Sequence, residues 1–344
     1  MDKPLITVVI PVYNVELFID QTLISILDQS FVNYECLFID DKSTDNTVKI
    51  IRSYNDPRIK VILKKKNTGY TDSLNYGIKI AKGEFIARMD GDDIMDKYRF
   101  EKQIDFLKKN PEVGVCGSNY IVFPSDKYKI LKQSHKDILT SLFFECEVAH
   151  PSVMIRKSVL SPEDNYEINK EPAEDYNLWT KLILKTKFHN IQEPLLFYRV
   201  HHNQVSKIKK SLQIESAFEA RFFLWNYFLK SNQISFDFFK DIFNDNYTGS
   251  LFNLQKQLES LKLIEMEILE SDELNIEILK RRIYDLKKFK VRGYFFKNKS
   301  MSISQIPILL FKYRSFFSFL DFIKITYTTI RYDRANSDNI HISK

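Results

Sequence analysis

Glu84-Phe-Ile-Ala-Arg-Met-Asp-Gly-Asp-Asp93 is a short, mainly apolar run, Phe85 to Met89, ending in three carboxylates within four residues: Asp90, Asp92 and Asp93. The run follows a turn signal, Lys82-Gly83, and its length suits a buried strand rather than a helix. Like charges this close repel, and burying them is costly unless a cation or hydrogen-bond donors compensate. Acidic groups at the carboxyl end of such a strand sit where open α/β sheets hold their ligands. Hard oxygen ligands suit Mg2+ or Mn2+, which in turn bridge phosphates. A solvated acidic turn is the ordinary alternative for an isolated D-x-D, so the rest of the chain decides.

Working outward, the first 125 residues alternate strand and helix signals. Strands are expected at Ile6–Ile10, Tyr34–Ile39, Arg58–Leu63, Phe85–Met89, Val113–Cys116 and Tyr120–Phe123. Helices are expected at Val15–Leu27, Asn46–Tyr54, Thr71–Ala81 and Tyr98–Lys108. Repeated βα units with short connections predict an α/β fold built on a doubly wound, mostly parallel sheet flanked by helices. Further strands are expected at Val148–Ile155 and Leu195–Val200, and a helix at Glu174–Lys187. Beyond Gln204 strand signals fade into aromatic-rich helical patterns, so a boundary is placed near residue 208.

Length and composition bound the rest. A chain of 344 residues holds one large α/β domain plus an extra segment. Cys36, Cys116 and Cys146 have no metal-binding spacing and read as reduced and inert. The N-terminus lacks a basic region and a cleavage site, and no window is apolar enough to span a bilayer, which predicts a cytoplasmic protein. The net charge of +6 is unevenly spread: Lys280 to Lys299 holds nine Lys or Arg against one acid, Asp285. That asymmetry predicts an anionic surface as partner rather than general solubility, and the inner face of the cell membrane is the surface expected; no nucleic acid partner is expected.

Five pieces fall at or just after strand ends. Ile10-Pro-Val-Tyr-Asn14, with Glu16, can wall a flat base. Ile39-Asp-Asp-Lys-Ser-Thr-Asp45 offers a carboxylate to a base N–H, beside helix-capping residues. The third is the Asp90-Gly-Asp-Asp93 cluster. Glu174-Asp175 opens a helix and reads either as acids at its positive end or as a general base aimed into a cleft. Tyr198-Arg-Val-His-His-Asn203 places a cation and two imidazoles where they suit a diphosphate or a metal.

Together these pieces resemble family 2 glycosyltransferases, inverting and metal-dependent enzymes of the GT-A fold. The resemblance is carried by Val8-Val-Ile-Pro-Val-Tyr-Asn14, Ile39-Asp-Asp-Lys-Ser-Thr-Asp45, Ala87-Arg-Met-Asp-Gly-Asp-Asp93, His150-Pro-Ser-Val-Met154, Glu174-Asp-Tyr-Asn-Leu-Trp179 and Tyr198-Arg-Val-His201, in the family's order. Asn67-Thr-Gly69 and Asn75-Tyr-Gly77-Ile78 also match, and the likeness covers roughly residues 4–206. It implies a GT-A catalytic domain at 1–208, with a nucleotide-sugar half to about 125 and an acceptor half at 126–208; the resemblance does not reach 209–344, where the helical pattern and the basic run predict a helical region for membrane or oligomer contact. Asp175 would be the base that takes a proton from the acceptor hydroxyl. Asp41, Pro11, Tyr13 and Glu16 would surround a uracil nucleoside, with Asn67, Arg88, Asp90 and Arg199 completing the donor site. Asp92 would ligate Mn2+ or Mg2+, with Asp93 and His201 beside it. His150, Glu174, Trp179 and His202 would stand on the acceptor side, facing a glycan or lipid-linked acceptor of surface-polysaccharide type such as capsule or lipopolysaccharide. One departure is Lys42, where the family carries glycine; a lysine is expected to fit if φ there is negative.

Other classes fit less well. A nucleotidyltransferase would show a glycine-rich phosphate loop near its start, and Ile10–Asn14 holds no glycine. A non-catalytic nucleotide-sugar binding module has no use for a base at Asp175. A dehydrogenase would show G-x-G-x-x-G after the first strand.

Overall fold

The computed structural model describes residues 3–161, 164–201, 209–229, 234–243, 250–297, 306–317 and 325. A nine-stranded sheet organises the first unit. β1 (Ile6–Val12) runs parallel to β2 (Tyr34–Asp40) and to β4 (Phe85–Arg88), and β2 runs parallel to β3 (Ile59–Leu63). β8 (Met154–Arg156) then pairs antiparallel with both β4 and β6 (Val113–Phe123). β6 runs parallel to β9 (Lys187–Arg199), which pairs antiparallel with the two-residue β5 (Ile94–Met95). β7 (Lys127–Lys129) extends β6 in hairpin fashion. The sheet is therefore mixed, parallel in its first half, with the spatial order β3-β2-β1-β4-β8-β6-β9-β5.

All seven residues of β1 and of β2 are buried, as expected for parallel strands covered on both faces. α1 (Ile19–Leu27), α2 (Thr47–Ser53), α3 (Tyr70–Ile80) and α4 (Arg99–Lys109) supply much of that cover. α3 lies so close to the sheet that a Cβ on Gly77 would meet Val9 Cγ1 at 2.5 Å. α5 (His135–Ser141) and α6 (Glu174–Leu182) follow in the second half.

The second half departs from the sequence expectation in three places. The short strands expected at Val113–Cys116 and Tyr120–Phe123 are one strand of 11 residues, irregular in register against β9 near Ser118 to Tyr120. Of the strand expected at Val148–Ile155, only Met154 onward is extended, because His150-Pro-Ser152 forms a 3-10 turn with Pro151 inside it. The helix expected to reach Lys187 stops at Leu182, and β9 starts at Lys187, well before the expected Leu195. Glu193-Pro194 hides that strand's length; Pro194 sits opposite Asn119 at the register shift, where a missing N–H is tolerated.

The first compact unit runs to Trp225, beyond the boundary expected at 208. α7 (Lys210–Phe228) ties into it: Trp225 is fully buried, stacks edge-on to Phe143 at 4.8 Å and donates to the Phe143 carbonyl at 3.0 Å. The second unit, Asn226–Lys344, contains α8 (Phe236–Phe243), α9 (Leu251–Ile268), α10 (Ile276–Lys297) and α11 (Ile306–Lys312). Its own core gathers Leu254, Val291, Tyr294, Phe295, Leu309, Leu310, Tyr313 and Ile325. Among the described residues no helix is long and apolar enough to cross a membrane.

Candidate active site

The carboxyl end of β4 delivers Arg88, Met89 and the acidic turn. Oxygens of Asp90, Asp92 and Asp93 lie within 4.8 Å of one another. Each is held differently. Asp90 pairs with the Arg88 guanidinium at 2.5 Å, and Arg88 also donates to the Tyr70 hydroxyl. Asp92 Oδ2 meets His201 Nε2 at 2.8 Å. Asp93 is fully buried; its Oδ1 accepts the Arg199 backbone N–H at 2.8 Å, while its Oδ2 has no partner. Thr22 of α1 anchors the turn from beneath, donating to the carbonyls of Asp93 (2.8 Å) and Gly91 (3.1 Å).

Burial dominates the electrostatics here. It pushes the Asp90 carboxyl up to about 6, with Arg88 opposing and Asp92 adding to the rise. Burial and the charges of Asp90 and Asp92 hold Asp93 well above the ordinary carboxylate range. A crowded acid cluster with one buried, orphaned oxygen fits a divalent cation, whose charge would reverse that penalty.

The end of β9 supplies the opposite wall. Arg199 donates from Nε to the Asp92 carbonyl at 2.6 Å and also bonds the Gln21 side chain. Phe18 lies under both groups, stacked on His201 at 4.7 Å between centroids and 5.1 Å from the Arg199 guanidinium. Neither Phe18, which in the sequence belongs to the apolar spacing of the helix expected at Val15–Leu27, nor Gln21 was expected at the site; both come from the segment after Glu16. His202 lies outside the described residues.

The base side is built from the ends of β1 and β2. Tyr13 is about half exposed, and Pro11 is buried behind it. Asp41 braces the loop before α3: Oδ1 accepts the Thr68 amide (2.9 Å) and pairs with Lys64 (2.8 Å), and Oδ2 accepts the Gly69 amide (2.9 Å). Asn67, next in that loop, is exposed. Glu16 accepts the backbone and side-chain N–H groups of Asn46 at 2.9 and 2.8 Å, which caps the start of α2. Lys42 has φ +67°, so the condition under which a lysine was expected to fit is not met. The lysine occupies the left-handed region that favours glycine, while Asp40 accepts the following Ser43 amide at 3.2 Å.

The first turn of α6 presents Glu174 and Asp175. Asp175 Oδ1 accepts the Tyr176 amide at 2.7 Å, and Oδ2 lies 4.0 Å from His150 Nδ1. Burial raises the Asp175 carboxyl above its ordinary range. Glu174 is buried with Oε2 unpartnered, and burial followed by the Asp175 charge pushes it up to about 8. His150 sits in an aromatic box: Tyr166 hydroxyl at 2.8 Å from Nε2, Tyr70 hydroxyl at 3.4 Å from Nδ1, and Trp179 edge-on at 5.7 Å. Trp179 is fully buried, so it packs behind His150 rather than lining open space. Tyr70 and Tyr166 were missed by the sequence reading; Tyr70 directly follows the matched Asn67-Thr-Gly69, and Tyr166 lies between the matched blocks that start at His150 and Glu174.

Comparison with known proteins agrees with this geometry. The sequence profile described as Glycosyl transferase family 2 matches residues 7–162. An uncharacterised glycosyltransferase of Haemophilus influenzae is 31% identical over 284 residues, spanning 77% of this chain and 85% of its own. The UDP-Glc:alpha-D-GlcNAc-diphosphoundecaprenol beta-1,3-glucosyltransferase WfgD of Escherichia coli is 30% identical over 183 residues, 53% of this chain and 71% of its own. The crystal structure of S. aureus TarS 1-349 in complex with UDP shares the fold with a TM-score of 0.55 at 18% identity, covering 96% of this chain and 91% of that one. Relatedness over most of both chains, on a sheet whose strand ends gather the expected acids, makes the conclusion plain: this chain belongs to glycosyl transferase family 2 and is a glycosyltransferase.

Proposed function

We propose that the protein is an inverting, divalent-metal-dependent glycosyltransferase that moves a sugar from a UDP-linked donor to a hydroxyl of a glycan or lipid-linked acceptor. The observation that carries this reading is a single electrostatic centre. Arg88 pairs with Asp90 at 2.5 Å and donates to the Tyr70 hydroxyl, which lies 3.4 Å from His150 Nδ1, itself 4.0 Å from Asp175 Oδ2. The acid cluster and the candidate base therefore share one site.

Asp90, Asp92 and Asp93, with His201 beside them, would hold Mn2+ or Mg2+. Bound there, the ion would neutralise charge building on the departing diphosphate. Arg199 adds a cation on the same wall. Asp175 accepts the proton of the acceptor hydroxyl as that oxygen bonds to the anomeric carbon and the bond to the diphosphate breaks. One base on the face opposite the leaving group suffices for inversion, and no carboxylate nucleophile is required. Tyr13 and Pro11 flank the base. Asp41 orders the Thr68-Gly69 turn against it and keeps an acceptor direction on Oδ2 for a uracil N3–H. A UDP donor is supported by UDP in the TarS complex and by the UDP-Glc in the name of the Escherichia coli relative. That same name supports a lipid-diphosphate-linked acceptor. We further propose that the second unit docks this enzyme on an anionic membrane surface, where such an acceptor resides.

The test is UDP release. Incubation with UDP-glucose and UDP-GlcNAc plus Mn2+ should liberate UDP, and EDTA should abolish it. Release of pyrophosphate from a nucleoside triphosphate instead would favour a nucleotidyltransferase, and binding without turnover would favour a non-catalytic module.

A further inference from the structure

Behind Asp175 lies a hydrogen-bonded chain that the transfer chemistry does not itself require. Asn75 of α3 clamps the Tyr166 backbone on both sides, donating to its carbonyl at 2.8 Å and accepting its amide at 3.0 Å. The Tyr166 hydroxyl, on a residue only 2% exposed, meets His150 Nε2 at 2.8 Å. His150 Nδ1 turns the other way, toward Asp175 Oδ2 at 4.0 Å and the Tyr70 hydroxyl at 3.4 Å.

We propose that Tyr166 and His150 are a positioning pair for the Asp175 carboxylate, with Tyr166 fixing the imidazole tautomer whose Nδ1–H faces Asp175. This rests on the reading of Asp175 as the base. The proton assignment follows from the network. Two hydroxyls compete to donate to the ring, Tyr166 at Nε2 (2.8 Å) and Tyr70 at Nδ1 (3.4 Å), and the shorter contact assigns the donor to Tyr166. A neutral imidazole that accepts at Nε2 carries its proton on Nδ1. The alternative tautomer would aim a lone pair at a carboxylate. The ring stays neutral because burial, then Arg88, hold His150 well below its ordinary range. At 4.0 Å the Nδ1–H stops short of a hydrogen bond, and a shift of about 1 Å on acceptor binding would complete it. Once made, that bond favours the ionised carboxylate and opposes the effect of burial. The geometry parallels the way a carboxylate–imidazole pair fixes a tautomer in hydrolytic triads, with the order of dependence reversed.

Other groups also act on Asp175: Arg88 from β4, Glu174 and Tyr176 on its own helix, Cys146 from the loop before His150, and Asp90 across the site. The test therefore reads the tautomer directly as well as the pH profile. In the full-length 15N-labelled protein, His150 ring nitrogens, assigned by their disappearance in His150→Asn, should report Nδ1–H, and Tyr166→Phe should give a mixture. With UDP-GlcNAc or UDP-glucose, Mn2+ and water as acceptor, Tyr166→Phe should lower kcat roughly tenfold and leave KM for the donor unchanged. The acid limb of its pH profile should move up. His150→Asn, which keeps an N–H near Nδ1, should retain more activity than His150→Leu. An Nε2–H tautomer in the wild type overturns the proposal, even if the variants prove unstable in thermal melts. So do wild-type kcat and pH profile in Tyr166→Phe. Asp175→Asn separates the two ideas. If it is inactive with UDP binding intact while the Tyr166 and His150 variants behave as wild type, the pair fails and the base reading stands. If Asp175→Asn keeps near-normal turnover, the base reading fails and takes the pair with it.

Discussion

Asp175 is the residue on which the transfer reading depends most sharply. A general base must be ionised to work, and burial raises this carboxyl above its ordinary range. Activity should therefore fall as pH drops through a value higher than the usual carboxylate pKa of about 4. Asp175→Asn keeps the shape but cannot take a proton, so UDP binding should persist while turnover falls by roughly 10^2 to 10^4 and the acid limb disappears. Lower thermal stability with little change in rate would instead mark Asp175 as a helix-start acid. Asp92 makes a different prediction. It is the acid that meets His201, and removing it should leave the diphosphate unneutralised while the fold survives. Asp92→Ala should lose activity by about 10^2 or more, and added Mn2+ should no longer restore enzyme treated with EDTA. Turnover close to wild type in that variant would remove the metal role.

At the scale of elements, the ends of β1, β2 and β4 were readable because each buried parallel strand is a continuous apolar run that stops at a polar motif. Asp41, Asp90 and Asp92 could be placed at strand ends for that reason. What hid the rest was contact distant in sequence. Tyr166 is locked by Asn75, 91 residues away, and β9 is masked by the Glu193-Pro194 pair in its middle. Glu16 was read as a nucleoside contact, yet its carboxylate is engaged in capping α2, a role set by Asn46 across the loop. Asp41, proposed to meet the base, also has a structural part. It ties β2 to the turn before α3 through two amides and Lys64. Asp41→Asn replaces one acceptor with a donor facing those groups, so it should cost about 1–3 kcal/mol of stability and weaken UDP binding together. Calorimetry on the wild type should show UDP bound more tightly than GDP. Tight GDP binding with none of UDP would overturn the base assignment.

At the scale of the whole molecule, the basic excess from Lys280 to Lys299 predicts a surface for an anionic membrane, and an apolar helical pattern that includes Leu309 and Phe316 follows it in the sequence. The second unit divides that pattern. Leu309 belongs to its core, with Phe316 packed against it, and Lys287 pairs with Glu265 at 2.5 Å. Lys290 is buried and donates to the Asp241 carbonyl at 2.7 Å. Ile308 and Phe311, each 71% exposed on α11, are left facing outward, and Lys280 and Arg281 are exposed on α10. Exposed apolar side chains and exposed cations on one unit, with the Arg314 guanidinium 4.5 Å from the Phe311 ring, suit the interface of an anionic leaflet, each such cation adding ~1 kcal/mol of attraction. Cutting the chain within this unit would break its core, so point changes are the cleaner probe. Full-length protein should float with phosphatidylglycerol liposomes at low salt and less so at high salt. Ile308→Asn with Phe311→Asn, or Lys280→Glu with Arg281→Glu, should abolish flotation and leave UDP release from UDP-sugars unchanged. Wild-type protein that stays in solution at low salt, or doubly substituted protein that floats as well as wild type, would show that this face serves another purpose, such as contact with a second copy, which light scattering would detect.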